Sequence, residues 1–308
     1  MSLSLLLRLQ IHAIFHSGIG FIIRQCLLSQ PRLPSSAYLT GQTALVTGSN
    51  TGLGLTAARQ LLSLNLSRLI VAVRSESKGE VAARSLAAEF PNAAIEVWRL
   101  DMEDYDSITT FVNNCKADAA GIDIAILNAG VQNKDKRVSV KTGHEQTFQV
   151  NYLSTVLLAV LLLPVLQKKG RSSGRPARLS IVTSTTAYFG NDFQLKESSL
   201  LQQFDEQKYN VTKWYAREKL LQMVFFKHLA ELVSPDDIVL NLVCPGLVGE
   251  TEIWRDLNKS PTLKYVFRTY CALFGRTVSA GASTYVHATV VRGKESHGGF
   301  LSDWRLCP

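Results

Sequence analysis

The sequence predicts an α/β fold: a single domain built on a doubly wound parallel sheet of about seven strands. Two observations predict it. After residue 40, short runs rich in valine, isoleucine and leucine alternate with helix-length segments. The short runs also lack the regular polar alternation of strands with one solvated face, which is typical of strands covered on both sides. Alternating strands and helices imply parallel strands joined by right-handed helical crossovers.

The predicted strands are brief and apolar, and the segments between them have the length and pattern of helices. The helical segments include Leu53–Leu64, Lys78–Phe90 and Ser107–Ala119. No internal repeat interrupts the series, so one domain over residues 37–308 accounts for it. The predicted strands are Thr43–Thr47, Leu69–Val73, Ile95–Arg99, Ile124–Leu127, Leu179–Thr183, Ile238–Val243 and Gly299–Ser302.

The amino-acid composition limits which classes of protein and which kinds of partner fit this chain. The chain has 308 residues, 46% hydrophobic, so it can bury a core without metal or disulfide staples. The net charge of +8 favours anionic partners such as phosphorylated cofactors, but the basic residues are scattered, so nucleic acid is not expected. The five cysteines lack any zinc-binding spacing, which indicates reduced thiols, a cytoplasmic protein and no metal site.

Residues 1–36 form an N-terminal extension that is apolar but interrupted. Arg8, His12, His16 and Arg24 break every apolar run before it reaches the roughly 20 residues of a membrane-spanning helix. No signal-peptide pattern is present either. Two interpretations remain for this segment: a helix packed on the body of the protein, or a peripheral membrane contact. Prolines and serines at its end read as a linker.

A glycine-rich turn follows the first predicted strand. Gly48 permits a tight turn, Gly52 lets the backbone approach a pyrophosphate, and Gly54 lets the next helix pack closely on its strand. Free N–H groups at the start of that helix then face the anion. A plain structural turn and a methyl-donor site on a similar fold are the alternatives. The remaining residues assigned to this cofactor loop are Asn50 and Leu53.

The end of the second strand indicates which dinucleotide binds. An NAD site places an acid about 20 residues after the glycines, where it accepts a hydrogen bond from the ribose 2′-hydroxyl. This chain has Arg74 there, and Lys78 follows one turn later. An arginine fork suits a 2′-phosphate, so the sequence predicts NADP(H). A solvated basic helix start is the alternative.

Two further positions fit a dinucleotide site. Asp101 follows the third strand, where its carboxylate can accept from the adenine amino group. Asn128 begins the segment Asn128–Gly130 after the fourth strand, where small residues let the backbone pass close to the cofactor.

Together these motifs resemble the short-chain dehydrogenase/reductase family. The resemblance covers about residues 40–308 and is closest to the fungal and retinol-dehydrogenase-like members. It implies a Rossmann-type fold, a nicotinamide cofactor and interconversion of a carbonyl and an alcohol, often on lipophilic or secondary-metabolite substrates. The motifs that carry it are Thr47–Gly54, Asn128–Gly130, Asn151, Ser184, a Tyr-x-x-x-Lys pair and Asn241–Gly246.

Two Tyr-x-x-x-Lys pairs compete for the catalytic position: Tyr209 with Lys213, and Tyr215 with Lys219. Both place the two side chains on one helical face. Threonine before Lys213 favours the first pair locally. An apolar stripe that begins directly after Lys219, and ungapped family spacing to Asn241, favour the second, which we predict. Glu218 then departs from the family pattern, either adding a carboxylate near the site or pointing to solvent.

The resemblance implies a role for each remaining site residue. Lys219 would lower the phenol pKa of Tyr215 and hydrogen-bond the nicotinamide ribose. Ser184 would stabilise charge on the substrate oxygen, with Thr183 and Thr185 as alternative hydroxyls. Asn151 would hold a water that links Lys219 to solvent, or serve as a helix-start asparagine. Near the nicotinamide, the expected residues are Val248 and Thr251.

A segment at about residues 250–280 would cover the substrate. Its aromatic residues suggest a small lipophilic carbonyl or alcohol compound, although ordinary helix packing explains the same pattern. Helices that begin near Asn151 and Tyr215 imply a homodimer by resemblance. The alternative to an enzyme is a dinucleotide-binding sensor or scaffold without turnover. The aromatic residues are Trp254, Tyr265, Phe267, Tyr270 and Phe274.

Overall fold

The computed structural model describes residues 18–28, 30–31, 38–190, 200–206, 210–249, 251 and 261–307. Its centre is an eight-stranded sheet in the order β3-β2-β1-β4-β5-β6-β7-β8. All neighbouring strands are parallel except β7 and β8. The strands are β1 (Thr43–Thr47), β2 (Arg68–Val73), β3 (Ala94–Arg99), β4 (Ile124–Leu127), β5 (Ala177–Val182), β6 (Ile238–Cys244), β7 (Phe300–Ser302) and β8 (Arg305–Cys307).

The predicted doubly wound α/β class is confirmed, with one strand more than the approximate seven. The chain reverses at Asp303 and Trp304, which both adopt left-handed backbone angles (φ 56° and 60°). This turn lets the three-residue β8 pair antiparallel with β7. Arg305–Cys307 lacks a long β-branched or alternating pattern, so no sequence signal distinguished it from a terminal loop.

Helices cover both faces of the sheet. One face packs α2, α3 and α9 over a core that includes Leu61 and Tyr285. The other packs α4, α5 and α7 over a core that includes Phe111 and Phe226. The helices are α1 (Gly18–Leu27), α2 (Gly52–Ser63), α3 (Glu76–Glu89), α4 (Tyr105–Ala117), α5 (Gln146–Ser173), α6 (Leu200–Glu206), α7 (Val211–Glu231), α8 (Pro261–Phe274) and α9 (Val278–Val286).

Helix α5 is long and apolar enough to cross a membrane, and is the one described helix of which this is true. More than half of its apolar window is buried inside the protein, including Leu158 and Leu162 in the core. Its early part, Gln149–Ser154, is π-helical. Such π-turns inside α-helices are frequent at functional sites, and this one carries Asn151.

Part of the N-terminal extension is helical and contacts the body of the protein. In α1, the buried Arg24 donates from Nε to Oδ2 of Asp303 at 2.7 Å. Asp303 also pairs with Arg276, so one buried carboxylate holds two guanidinium groups. The neighbouring Gln25 donates to the carbonyl oxygens of Leu247 (3.1 Å) and Phe274 (3.4 Å). These contacts are those of a helix docked on the protein.

The topology gathers the predicted site residues at one edge of the sheet. The seven parallel strands all end there, and the strand order reverses between β1 and β4. In open α/β sheets this reversal opens a crevice that ligands occupy. The glycine turn follows β1 and Asn128 follows β4, so the two flank the crevice.

Candidate active site

The glycine turn has the geometry that a diphosphate group requires. Gly48 and Gly52 adopt left-handed angles (φ 65° and 57°), which other residues rarely adopt. A Cβ on Gly52 would meet nothing within 4 Å, so open space lies beside the backbone there. A Cβ on Gly54 would instead lie 2.5 Å from the Gly48 carbonyl oxygen. Each glycine therefore fits the requirement predicted for its position.

The start of α2 is open to an anion. Thr51 precedes the helix in an extended conformation and its side chain makes no capping hydrogen bond. The first N–H groups of the helix, from Gly52 onward, are therefore not satisfied by that side chain, which suits a bound phosphate. Asn50 and Leu53 complete the loop and are half-buried.

The side chain of Asn128 stabilises the glycine turn through hydrogen bonds. Its Nδ2 donates to the carbonyl oxygens of Thr47 (3.0 Å) and Gly48 (3.3 Å). Thr47 Oγ1 in return accepts from the backbone N–H groups of Asn128 and Ala129. The side chain of Asn128 thus fixes the turn after β1 to the end of β4, and the backbone beside it borders the crevice.

Arg74 lies at the end of β2 and forms an ion pair that the sequence did not predict. Its Nη1 lies 2.8 Å from Oε1 of Glu103, and its side chain remains 60% exposed. Glu103 Oε1 also accepts from Nε2 of Gln146 at 2.7 Å. Lys78 is exposed in the first turns of α3. Arg74 therefore presents a guanidinium at the predicted 2′-phosphate position with an acid already beside it.

Asp101 lies in the turn after β3. Its Oδ1 accepts from the backbone N–H of Glu103 at 3.0 Å, and its own N–H donates to Ser107. The carboxylate therefore shapes the turn that carries Glu103, in addition to the adenine contact predicted for it.

The opposite side of the crevice is lined by Leu53 and the loop after β6. A Cβ on Gly281 of α9 would lie 2.7 Å from Val248 and 2.9 Å from Leu53, so these two side chains converge there. Thr251 follows on the same loop. Its Oγ1 is buried without a hydrogen-bond partner among the described residues, which fits a hydroxyl that hydrogen-bonds a ligand when one is bound. The residues present thus fit a dinucleotide.

Ser184, Tyr215 and Lys219 converge at the ends of β5 and α7. Ser184 comes two residues after β5, and its hydroxyl is near enough to the phenol of Tyr215 to lower the phenol pKa. The Lys219 ammonium lies 5.7 Å from the centre of the Tyr215 ring. Its Nζ donates to the carbonyl oxygen of Val182, the last residue of β5, at 3.0 Å. The structure therefore brings together the three groups that the sequence singled out.

The electrostatics of the phenol differ from the sequence-based expectation. Burial, together with the nearby side chains of Cys244 and Glu218, raises the pKa of the Tyr215 phenol above its ordinary value, while Ser184 acts in the opposite direction. Burial also lowers the pKa of Lys219 to about 8, against the opposing effect of Glu218 and Cys244. In the protein alone, burial of the Tyr215 phenol therefore has a larger effect on its pKa than the stabilisation of phenolate that was expected from the Lys219 ammonium.

Asn151 is buried in the π-turn of α5. Its side chain donates to the carbonyl oxygen of Val131 (2.8 Å) and accepts from the Val131 N–H (2.9 Å). Its Nδ2 also donates to Oε2 of Glu218 at 3.0 Å. Its backbone carbonyl accepts from Nε2 of Gln222 at 3.1 Å. Protein side chains therefore engage the asparagine for which the resemblance implied a water contact.

Glu218 points inward and is fully buried. Of the two alternatives for this residue, its side chain therefore does not point to solvent. Gln222 and Cys244 are buried beside the same site, and neither was predicted as a site residue from the sequence. One signal was available for Gln222. It lies one turn after Glu218 and three residues after Lys219, within an otherwise apolar stripe.

Of the competing pair Tyr209 and Lys213, the structure describes Lys213. Tyr209 lies outside the described residues. Lys213 is exposed in the first turn of α7, where its N–H is capped by the Asn210 side chain at 3.0 Å. The ammonium at the end of β5 is that of Lys219.

The predicted substrate-covering segment is described in part. Residues 252–260, with Trp254, lie outside the described residues, and the side chain of Phe267 is not described. Helix α8 carries Tyr270 and Phe274, whose rings pack at 5.2 Å, and a 75% exposed Tyr265. Within the part of the chain that the structure describes, no cluster of three or more metal-ligating residues occurs.

Solved structures with this fold include oxidoreductases. A gluconate 5-dehydrogenase from Burkholderia cenocepacia, in complex with NADP and tartrate, has a TM-score of 0.63 and 21% identity. It matches 86% of this chain and 94% of its own. Levodione reductase has a TM-score of 0.67 and 14% identity, over 85% of this chain and 96% of its own. At these identities the likeness establishes the fold.

Sequence relatives are much closer. Residues 42–191 match the short chain dehydrogenase family. The short chain dehydrogenase/reductase mfmJ of Annulohypoxylon moriforme is 44% identical over 91% of this chain and 81% of its own. The short chain dehydrogenase opdN of Penicillium oxalicum is 42% identical over 94% of this chain and 95% of its own. The chain belongs to the short-chain dehydrogenase/reductase family.

Proposed function

We propose that this protein is an NADP(H)-dependent oxidoreductase that interconverts a carbonyl and an alcohol on a small lipophilic substrate. The observation that carries the proposal is the convergence of Ser184, Tyr215 and Lys219 beside the crevice at the sheet edge. Two fungal relatives are named short chain dehydrogenases, which supports the oxidoreductase class. A role in fungal secondary metabolism is part of the proposal. We also propose a cytoplasmic location, with membrane contact through the N-terminal extension as the alternative.

In this proposal the cofactor and the protein divide the chemistry. When bound, the nicotinamide supplies or accepts the hydride. Tyr215 gives its proton to the carbonyl oxygen during reduction and takes it back during oxidation. Ser184 donates a hydrogen bond to the same oxygen, where negative charge develops. Lys219 holds its ammonium beside the phenol and offers a remaining N–H to the cofactor ribose.

The choice of NADP(H) over NAD(H) rests on the charge at the end of β2. Arg74 presents an exposed guanidinium there, and Lys78 adds a second cation on α3. A 2′-phosphate is recognised by such a pair through charge-assisted hydrogen bonds. The gluconate 5-dehydrogenase with the same fold was solved with NADP, which supports the choice.

The proposal is tested by NADPH oxidation with a panel of lipophilic ketones and aldehydes, and by NADP reduction with the matching alcohols. Turnover of at least one compound, with product identified by mass spectrometry, is the expected result. NADPH binding in fluorescence titrations without turnover of any compound would favour the sensor or scaffold function instead.

We further propose a homodimer through α5 and α7. An apolar groove of about 350 Å³ runs along these helices and is lined by Leu221, Phe225 and Leu229, with Val224 48% exposed. Val224→Glu should convert a dimer to a monomer in sedimentation velocity, because a charge cannot be buried unpaired in such an interface. Val81→Glu, at another exposed valine, on α3 and away from this groove, is the control. Dimers that persist in Val224→Glu would contradict the proposed interface.

A further inference from the structure

A chain of buried hydrogen bonds joins Lys219 to Asn151 and Glu218. Lys219 Nζ donates to Oε1 of Gln222 at 3.4 Å, and Gln222 Nε2 donates to the backbone oxygen of Asn151 at 3.1 Å. Asn151 Nδ2 then donates to Glu218 Oε2 at 3.0 Å. Three of these residues lie within two turns of α7, so one helix supplies the whole clamp around Asn151. The amide of Gln222 therefore spans the gap between the ammonium and the asparagine.

Burial of the Glu218 carboxyl destabilises the folded protein, which indicates that the residue has a function there. Its side chain is fully buried, and Oε1 has no hydrogen-bond partner among the described residues. A buried carboxyl with one unsatisfied oxygen destabilises the fold, since desolvation is not repaid by bonding. Burial accordingly raises the pKa of Glu218 well above its ordinary value. The other carboxylate oxygen accepts from Asn151, so Glu218 is placed to hold that amide.

Several ionisable groups face Glu218. Glu145, the buried residue at the start of α5, raises the pKa of Glu218 by charge repulsion. Lys219, on the same helix, lowers it, as does the hydrogen bond from Asn151. In the other direction, Glu218 raises the pKa of Lys219 and that of Tyr215. The carboxyl and the ammonium therefore titrate as an interacting pair.

We propose that Gln222 and Glu218 are positioning residues of the proton-transfer step. Gln222 bridges Lys219 to Asn151 with a side chain in place of a water, and Glu218 holds the Asn151 amide and favours the charged form of Lys219. An ammonium has three N–H donors. Val182 and Gln222 occupy two of them, and the third is left for the cofactor. This inference rests on the proposed function, because it assumes that Lys219 acts with Tyr215.

The role of Gln222 is tested by Gln222→Met, which keeps the length of the side chain and removes both hydrogen bonds. We expect kcat to fall about tenfold, the effect of losing one to two buried hydrogen bonds. Gln222→Glu retains an acceptor for Lys219 and should recover part of the loss. A wild-type kcat in a folded Gln222→Met variant would overturn the role of Gln222.

The role of Glu218 is tested without turnover, by measuring NADPH affinity by fluorescence from pH 6 to pH 10. In the wild type, affinity should fall as pH rises through about 8, where Lys219 loses its proton. Glu218→Gln keeps the acceptor for Asn151 but carries no charge. Removing that charge disfavours the ammonium, so the midpoint should move down by about one pH unit.

Two variants locate the effect. Lys219→Met should abolish the transition, and Glu231→Gln, which removes a charge at the exposed end of α7, should leave it in place. An unchanged midpoint in Glu218→Gln, or no transition in the wild type, would overturn the role of Glu218. Because Glu218→Gln is isosteric, this measurement remains decisive even if Gln222→Met does not fold. NADPH binding without turnover of any compound in the panel, by contrast, would refute the proposed function itself.

Discussion

Tyr215→Phe is expected to reduce kcat by about 10²- to 10⁴-fold, the usual contribution of a positioned general acid or base. The variant loses only the phenol hydroxyl, so NADPH affinity and thermal stability should remain near wild type. Steady-state kinetics on the best substrate from the carbonyl panel, together with a thermal melt, measure both effects.

The matched control is Tyr209→Phe, which removes the same hydroxyl from the competing motif. We expect it to retain wild-type kcat, because the lysine that lies at the end of β5 is Lys219. Loss of activity in Tyr209→Phe with retention in Tyr215→Phe would reverse our assignment of the catalytic pair and place the register six residues earlier.

Arg74→Asp is expected to weaken NADPH binding by about 100-fold while NADH binding changes much less. An arginine bound to a phosphate contributes about 1.5–3 kcal/mol, and the introduced carboxylate would repel the 2′-phosphate. Isothermal titration with both cofactors measures the ratio of the two affinities. Equal losses for NADPH and NADH would refute the predicted 2′-phosphate site.

A second variant, Glu103→Gln, tests whether Glu103 competes with the cofactor for Arg74. The wild-type acid holds Arg74 at 2.8 Å, and any 2′-phosphate must compete with it for the guanidinium. The glutamine keeps an acceptor for Gln146 but removes the competing charge. NADPH affinity should therefore rise in Glu103→Gln, and NADH affinity should not. A fall in NADPH affinity would mean that Glu103 orients Arg74 for binding and does not compete with the cofactor.

The sequence specified the parallel core of the fold because each buried strand is a short, continuous apolar run. The bounds of β1 and β4 agree with the prediction, since polar residues or glycine flank both runs. Helix starts were less accurate. Helix α4 begins at Tyr105, two residues before the prediction, because Asp104 accepts from the N–H groups of Asp106 and Ser107 and caps the helix earlier.

The candidate site was predictable where a local motif encodes it and not where tertiary contacts do. The glycine turn and the Tyr215–Lys219 spacing are read directly along the chain. The contacts of Arg74 with Glu103 and of Asn151 with Glu218 join residues 29 and 67 positions apart. Such pairs leave no periodic or spacing signal. The inward direction of Glu218 follows from the rotation of α7 against α5, which a single sequence does not specify.

The shared carboxylate of Asp303 has a consequence for how the protein is made. Arg24 is synthesised 279 residues before its partner. Until residue 303 has been synthesised, the ion pair between Arg24 and Asp303 cannot form, whereas the contacts of Gln25 with Leu247 and Phe274 involve residues made earlier. This ion pair therefore forms late, after all the parallel strands of the sheet have been synthesised.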